Sequence, residues 1–278
     1  MSTQLRIFQW NILAQGFANN HDFKFLEKDD LTFDKRFSQI VNHIKNYLPD
    51  IICIEEADIH DKILKELNDS GPIKYSSFFL VKNKSACLKY DGNFGSDGIA
   101  VFYNENKFRS IEKHEFGLDE NRQRNSLNVL LEDIATKKKF WIVVTHFKSK
   151  RDFASTRVDE GKILLNHIKT QKDYPTFICG DFNAEPQEEV IEMIKSYNFK
   201  SAYETHLGNE PLFTTWKFIK GARSKETQPK HCIDYIFYRN ADLFTVTELM
   251  DEGKIGENGL PNKNFPSDHL FLIADFKL

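Results

Sequence analysis

Carboxylates, amides and imidazoles recur at the ends of apolar runs along this chain of 278 residues. Asn11 closes the first run, Glu55 and Glu56 follow the run 51–54, and His146 follows the run 141–145. Asp181 and Asn183 come after 176–179, across Gly180; Asp234 opens the run 234–238; Asp268 and His269 precede the last run, 270–276. One polar residue at the end of a strand is ordinary turn and cap chemistry. Six strand ends carrying oxygen ligands or imidazoles point to a shared task. Carboxylate and amide oxygens bind hard cations such as Mg²⁺, and the imidazoles then remain for proton transfer or phosphate contact.

Residues so far apart in the chain meet only if the runs between them are strands of common sheets. The runs 5–12, 51–54, 77–81, 98–103, 127–131, 141–145, 176–179, 234–238 and 270–276 have strand lengths and are bounded by turn residues. Several are apolar on both faces, as in strands buried from two sides. Between them lies helical spacing. Phe33, Phe37, Ile40, Val41, Ile44 and Tyr47 share one face, with Thr32 placed to cap the start and Pro49 beyond the end. Ile63, Leu64 and Leu67 predict a second helix, and Val158, Leu164, Leu165 and Ile168 a third. Pro186 followed by Gln187-Glu188-Glu189 predicts the first turn of a fourth. Lys137 to Lys139 reads as a solvated hairpin turn. No repeat or linker divides the chain, so residues 1–278 form one α/β domain: two packed sheets with helices outside.

Composition narrows the function classes. With 25 Phe, 9 Tyr and 3 Trp, and 40% hydrophobic residues overall, a disordered chain is excluded. A net charge of −3 argues against coating nucleic acid by bulk charge, leaving a local basic groove such as Lys148 to Arg151. Cys53, Cys87, Cys179 and Cys232 are widely spaced and read as free thiols suited to a reducing compartment. No apolar run approaches the length of a membrane span. Strand-like alternation already begins at Leu5, so almost no room for a targeting segment is expected within this sequence, and the expectation is a cytoplasmic protein.

The ordered segments carry a resemblance. Trp10-Asn11-Ile12-Leu13-Ala14, Ile54-Glu55-Glu56-Ala57-Asp58, Ser96-Asp97-Gly98, Thr145-His146-Phe147-Lys148, Gly180-Asp181-Phe182-Asn183-Ala184-Glu185-Pro186, Ile233-Asp234-Tyr235-Ile236 and Pro266-Ser267-Asp268-His269 occur in the order found in the endonuclease/exonuclease/phosphatase superfamily. Gln9 to Gln15, Phe213 to Lys217 and the stretch from Ile255 to His269 resemble its nocturnin, Angel and poly(A)-deadenylase branch. The resemblance implies a four-layer α/β-sandwich of two mainly antiparallel sheets flanked by helices, with the site at one edge of the paired sheets. It implies metal binding by Glu56, with Asn11 and Asp268 beside it. Asp181 and Asn183 would align the nucleophile and phosphate. His269, oriented by Asp234, would be the proton-transfer imidazole and His146 a second phosphate-facing one. Lys148, Lys150, Trp216 and Lys217 would contact substrate. The metal implied is Mg²⁺, with Mn²⁺ as the alternative.

Three positions depart from the branch. Glu55 stands where a Gln is common. Lys150 replaces an Arg, and Ile219, with Lys220 one step later, replaces a basic residue. The expected activity is a metal-dependent phosphoester hydrolase. Its leading substrate is the 2′-phosphate of NADP(H), and the alternative is the 3′ end of adenylate-rich RNA. A catalytically inactive binding module is disfavoured because the acid and imidazole set is complete. No obligate protein partner and no membrane association are expected.

Overall fold

In the computed structural model, residues 2–20, 23, 26, 28–218 and 230–278 are described; Ile219 and Lys220 lie outside them. Each of the nine runs read as strands contains one. The elements are β1 (Gln4–Asn11), α1 (Gln15–Asn20), α2 (Phe33–Tyr47), β2 (Ile51–Glu55), α3 (His60–Ser70), β3 (Tyr75–Val81), β4 (Gly98–Asn104), β5 (Phe108–Gly117), β6 (Asn125–Asp133) and β7 (Lys139–His146). Then follow α4 (Ala154–Thr170), β8 (Thr176–Asp181), α5 (Glu189–Ser196), β9 (Lys200–Ser201), α6 (Ala202–Leu207), β10 (Thr215–Trp216), β11 (Lys230–His231), β12 (Asp234–Arg239), β13 (Asp242–Val246), α7 (Glu252–Ile255) and β14 (Leu272–Lys277).

The strands form two six-stranded sheets, ordered β13-β14-β1-β2-β4-β3 and β5-β6-β7-β8-β12-β9, with β10 and β11 as a separate ribbon. Each large sheet is antiparallel except for one central pair, β1 with β2 and β7 with β8. The sheets pack face to face, as the sequence predicts. Ile7, Ile51, Cys53 and Val101 of the first meet Val129, Ile142, Val144, Phe177, Cys179 and Ile236 of the second. The outer face of the first sheet carries Phe8, Trp10, Ile52 and Ile54 under Ile40 and Ile44 of α2 and Ile63 and Leu67 of α3. The outer face of the second carries Val143, Ile178 and Phe237 under Leu164, Leu165 and Ile168 of α4 and Ile191 and Ile194 of α5. These are the four layers. All four cysteines are free and buried. Among the described residues no helix is long and apolar enough to cross a membrane.

Some local expectations shift. The fourth helix begins at Glu189, not around Pro186, because residues 185–188 close a turn of their own, Glu188 N–H donating to Glu185 C=O at 2.9 Å. Thr32 precedes α2, but its hydroxyl donates to Asp29 C=O at 3.2 Å and does not cap the helix. β5 and β13 were not legible. β5 is a mostly exposed edge strand with polar residues on both faces and a bulge between Ser110 and Glu112, so period-two alternation is lost.

Candidate active site

A strand turns alternate side chains to opposite faces. The inward rows of the central strands therefore predict where their last residues point. Ile7 leads to Gln9 and Asn11, Ile51 and Cys53 to Glu55, Ile142 and Val144 to His146, Phe177 and Cys179 to Asp181, and Tyr238 and Ile236 to Asp234. The apolar core between the sheets thus ends, at one edge, in a layer of polar groups. Registry brings them together: Asn11 pairs with Glu55, His146 with Asp181, and Asp181 with Asp234.

Glu55 and Glu56 part here. Glu55 stays between the sheets, fully buried, with Oε2 accepting from Gln9 Nε2 at 2.7 Å. Burial and the charge of Asp234 push its carboxyl well above the usual range. Glu56 adopts a left-handed backbone, φ 55°, which takes it off the strand and toward the cavity. Such conformations are uncommon outside glycine and concentrate at functional sites. Its Oε2 accepts from Ala14 N–H at 3.1 Å and its Oε1 from Asn11 Nδ2 at 3.3 Å.

Asn11 Nδ2 also donates to Asp181 Oδ2 at 3.1 Å, so one amide gathers two carboxylates. Asp181 Oδ2 lies 3.5 Å from His146 Nε2 and 3.8 Å from His269 Nε2. Its Oδ1 accepts from Asn183 N–H at 2.8 Å, Asn183 itself having φ 49°. Burial, then the charge of Asp234, raises Asp181 to about 7. His269 Nδ1 sits 2.9 Å from Asp234 Oδ2, and both side chains are buried. Burial opposes a charge on His269, but the carboxylates of Asp234, Asp268 and Asp181 outweigh it and raise the imidazole to about 10. His146 is driven the other way, well below its ordinary value, by burial and then by the charges of Lys82 and His269. One cationic and one neutral imidazole therefore flank a single carboxylate oxygen.

Two ion pairs on buried carboxylates complete the floor: Lys217 Nζ with Asp268 Oδ2 and Lys82 Nζ with Asp97 Oδ2, each at 2.6 Å. The Asp97 carboxylate also takes the Ser85 hydroxyl. The cavity above them has a volume of about 470 Å³. Its cations are Lys82, Lys84, Arg124, Lys148, Lys150 and Lys217. Lys148 and Lys150 lie on a loop held from beneath. Arg157 Nη1 donates to both their carbonyls, at 3.0 and 2.8 Å, and Glu160 accepts from Lys148 N–H at 2.8 Å. A larger cleft of about 650 Å³ at the opposite end of the sandwich is lined by Lys138, Lys200, Tyr238 and Lys277. It holds no imidazole, so the chemistry belongs to the smaller cavity.

Glu56, Asp181 and Asp268 offer carboxylate oxygens with no thiolate near, which suits a hard divalent cation such as Mg²⁺; Asn11 turns its Nδ2 to two of them and its Oδ1 to Leu13 N–H at 3.1 Å. Asp181, Asp234 and His269 also place ligand atoms within 4.8 Å of one another, but His269 Nδ1 is already engaged by Asp234. That trio is better described as a hydrogen-bonded pair beside an acid.

Of the residues expected at the site, Asn11, Glu56, His146, Asp181, Asn183, Asp234, Asp268 and His269 come together, and Lys148, Lys150 and Lys217 line the cavity. Trp216 does not line it. The indole is buried with Phe213, Ile255 and Leu260, and Lys230 Nζ lies 4.1 Å above the ring. Phe17 and Tyr90, unremarked in the sequence, line the cavity in its place. Lys82 and Arg124 were also missed. Asp97, in the Ser96-Asp97-Gly98 segment, was a signal that a cation lay opposite. Arg36 was missed because it appears to the eye as one polar residue on an amphipathic helix. It is fully buried and donates to Gln15 Oε1 at 2.6 Å, Ile12 C=O at 2.7 Å and Pro266 C=O at 2.9 Å, tying the stretch after β1 to the loop before β14.

The chain is similar to known proteins in sequence and in fold. The model of the Endonuclease/Exonuclease/phosphatase family matches residues 8–269. Human Nocturnin is 33% identical over 98% of the chain, and the chain spans 65% of that protein's length. A solved structure of the human Nocturnin catalytic domain with bound sulfate anion superposes with a TM-score of 0.76 at 30% identity, covering 98% of this chain and 94% of that one. The CCR4-Not complex 3′-5′-exoribonuclease subunit Ccr4 of Kluyveromyces lactis is 23% identical over the whole chain, which covers 42% of that protein. The structure of ANGEL2, a 2′,3′-cyclic phosphatase, in complex with adenosine-2′,3′-vanadate has a TM-score of 0.83 at 21% identity, covering 100% of this chain and 96% of that one.

Proposed function

The chain belongs to the endonuclease/exonuclease/phosphatase family, and from that premise we propose that this metal-dependent hydrolase removes the 2′-phosphate of NADP(H). The observation that carries the reading is a cavity of small-molecule size in which six Lys and Arg side chains, the rings of Phe17, Tyr90 and Phe147 and the acid–imidazole cluster face one space. NADP(H) carries charge at its 2′-phosphate and again at its pyrophosphate. Lys82 and Lys217, each paired with a buried carboxylate, lie with the acids and serve the phosphate that is cleaved. Lys148 and Lys150, nearer the surface, serve the second. Phe17 and Tyr90 offer faces for the adenine.

Glu56 and Asp268, with Asn11 beside them, would hold the divalent ion, which when bound would neutralise charge on the phosphoryl oxygens. Asp181 lies between the two imidazoles and takes the proton of the attacking water. The water oxygen bonds to phosphorus as the bond from phosphorus to the 2′-oxygen breaks. His269, turned by Asp234, presents Nε2–H to the phosphoryl group, and neutral His146 contacts it from the other side. Asn183 fixes the Asp181 carboxylate through its backbone amide.

The second reading is 3′-to-5′ trimming of adenylate-rich RNA. It is favoured by the similarity to Ccr4 and by the exposure of Lys84 and Lys150, where a strand could leave the cavity. Purified protein offered NADPH and an adenylate oligomer side by side with Mg²⁺ separates the two. Phosphate released from NADPH with the oligomer left intact is the expected result. A shortened oligomer with NADPH untouched overturns it.

A further inference from the structure

Two adjacent threonines precede and open β10, and their hydroxyls go to different parts of the site. Thr215 Oγ donates to the Asp268 carbonyl at 2.6 Å. Thr214 Oγ lies 2.6 Å from Asp234 Oδ2. The Thr214 oxygen also accepts the backbone N–H groups of Ile233 at 3.0 Å and Asp234 at 3.1 Å. With both lone pairs used by amides, its single proton is directed at the carboxylate; the other acceptor in reach, His231 C=O, is 3.5 Å away. From the first sheet, Gln9 Nε2 reaches Asp234 Oδ1 at 3.4 Å while donating to Glu55 Oε2 at 2.7 Å. Both Thr214 and Gln9 are fully buried, and neither lines the cavity.

We propose that Thr214 and Gln9 are positioning residues that lock the Asp234 carboxylate and so set the direction in which His269 presents Nε2. The inference rests on the proposed role of the Asp234–His269 pair. An aspartate carboxylate turns over a broad torsional range unless its oxygens are held. Here one oxygen is held by Thr214 and the other by Gln9, and His269 Nδ1 meets both, at 2.9 and 3.2 Å. The imidazole inherits that orientation and points Nε2 toward Asp181, 3.8 Å away. Gln9 reaches across from the facing sheet, so the pair is fixed relative to both halves of the sandwich.

The test uses whichever substrate the wild-type protein hydrolyses. Thr214→Val keeps the shape and removes the hydroxyl; Thr214→Ser keeps the hydroxyl; Gln9→Met removes the second contact without touching a backbone amide. Thr214→Val is expected to lower kcat by roughly ten- to a hundredfold with KM little changed, since an orienting group acts on the reacting geometry. Thr214→Ser restores kcat. Adding Thr214→Val to Asp234→Ala costs nothing further, because the carboxylate it holds is gone. If Thr214→Val does not fold, the kcat and KM of Gln9→Met carry the test alone. Full kcat in both Thr214→Val and Gln9→Met, or equal losses in Thr214→Val and Thr214→Ser, overturns the inference. Full activity in His269→Ala overturns the reading beneath it, so the two failures are told apart.

Discussion

Asp181 and Asp234 stand directly opposite each other in the antiparallel pairing of β8 and β12, so two carboxylates share the last rung of the second sheet. Both are buried. Their repulsion is relieved by the His269 cation and the amide of Asn11; burial first, and then what remains of that repulsion, raises the affinity of Asp181 for a proton.

Asp181→Asn is therefore expected to abolish turnover and to stabilise the fold. The amide keeps the shape and removes one buried charge, as is common where function opposes stability. A gain of about 1 kcal/mol moves the melting temperature of a chain this size by roughly 2–4 °C. Calorimetry without added metal reads it; a fall in melting temperature counts against the repulsion.

Glu56 and Glu55 are neighbours with opposite expected phenotypes. Glu56→Ala removes an oxygen from the cavity side and should eliminate activity at saturating Mg²⁺ while the apo-protein melts nearly as before. Glu55→Gln replaces a buried acid by an amide of the same shape and should keep activity. Assays of both variants over a Mg²⁺ titration distinguish them. Loss of Mg²⁺ dependence in Glu55→Gln would assign the metal to the wrong residue.

Stability should fall as pH rises from about 4.5 to about 7, through Glu210. Burial raises its carboxyl to about 7, and its Oε1 is buried without a hydrogen-bond partner. Between those values the unfolded chain releases the proton and the folded chain keeps it, so the contribution is fully present below the unfolded value and is lost above the folded one. At 1.36 kcal/mol per unit the effect is at most about 3 kcal/mol. Glu210→Gln should flatten this part of the pH–stability curve, measured by urea unfolding at pH 5 and pH 8. Equal slopes in wild type and variant would show that other groups carry it.

Lys150 is exposed on the loop held by Arg157, and it should act on binding more than on chemistry. Lys150→Ala is expected to raise KM for NADPH several-fold with kcat little changed. Lys150→Arg should lower KM, because a guanidinium grips phosphate with a planar fork where an ammonium is a point charge. Steady-state kinetics of the two variants check this; a change confined to kcat would place Lys150 at the reacting phosphate.

The central strands and the three longer helices are legible because their signal is local. Ile51, Cys53 and Glu55 share one face and Ile52 and Ile54 the other, so alternation places Glu55 with Ile51 and Cys53, and the packing of the sheets makes that face the inner one. The same holds for His146, Asp181 and Asp234 on their strands. The edge strand β5 escapes the rule of alternation because polar residues stand on both of its faces, and β13 because a bulge between Leu243 and Thr245 breaks the period and leaves Phe244 exposed. Trp216 escapes it for another reason: in a two-residue strand, a sequence of aromatics reads equally as a binding face or as core.

By itself, the order of short motifs along the chain determines the family and the identity of most acids and imidazoles, since those residue types sit at strand ends whose periodicity is written in neighbouring residues. Only the tertiary structure decides that His146 and His269 address one oxygen of Asp181, that Lys82 and Arg124 enter the cavity, that Phe17 and Tyr90 line it instead of Trp216, and that Thr214 and Gln9 hold Asp234. Each of these is a contact between elements far apart in sequence. Period-two alternation says which face a side chain takes; it carries no information about which side chain of the facing sheet or loop arrives within hydrogen-bond distance, because that depends on how the two sheets pack and on where the connecting loops return.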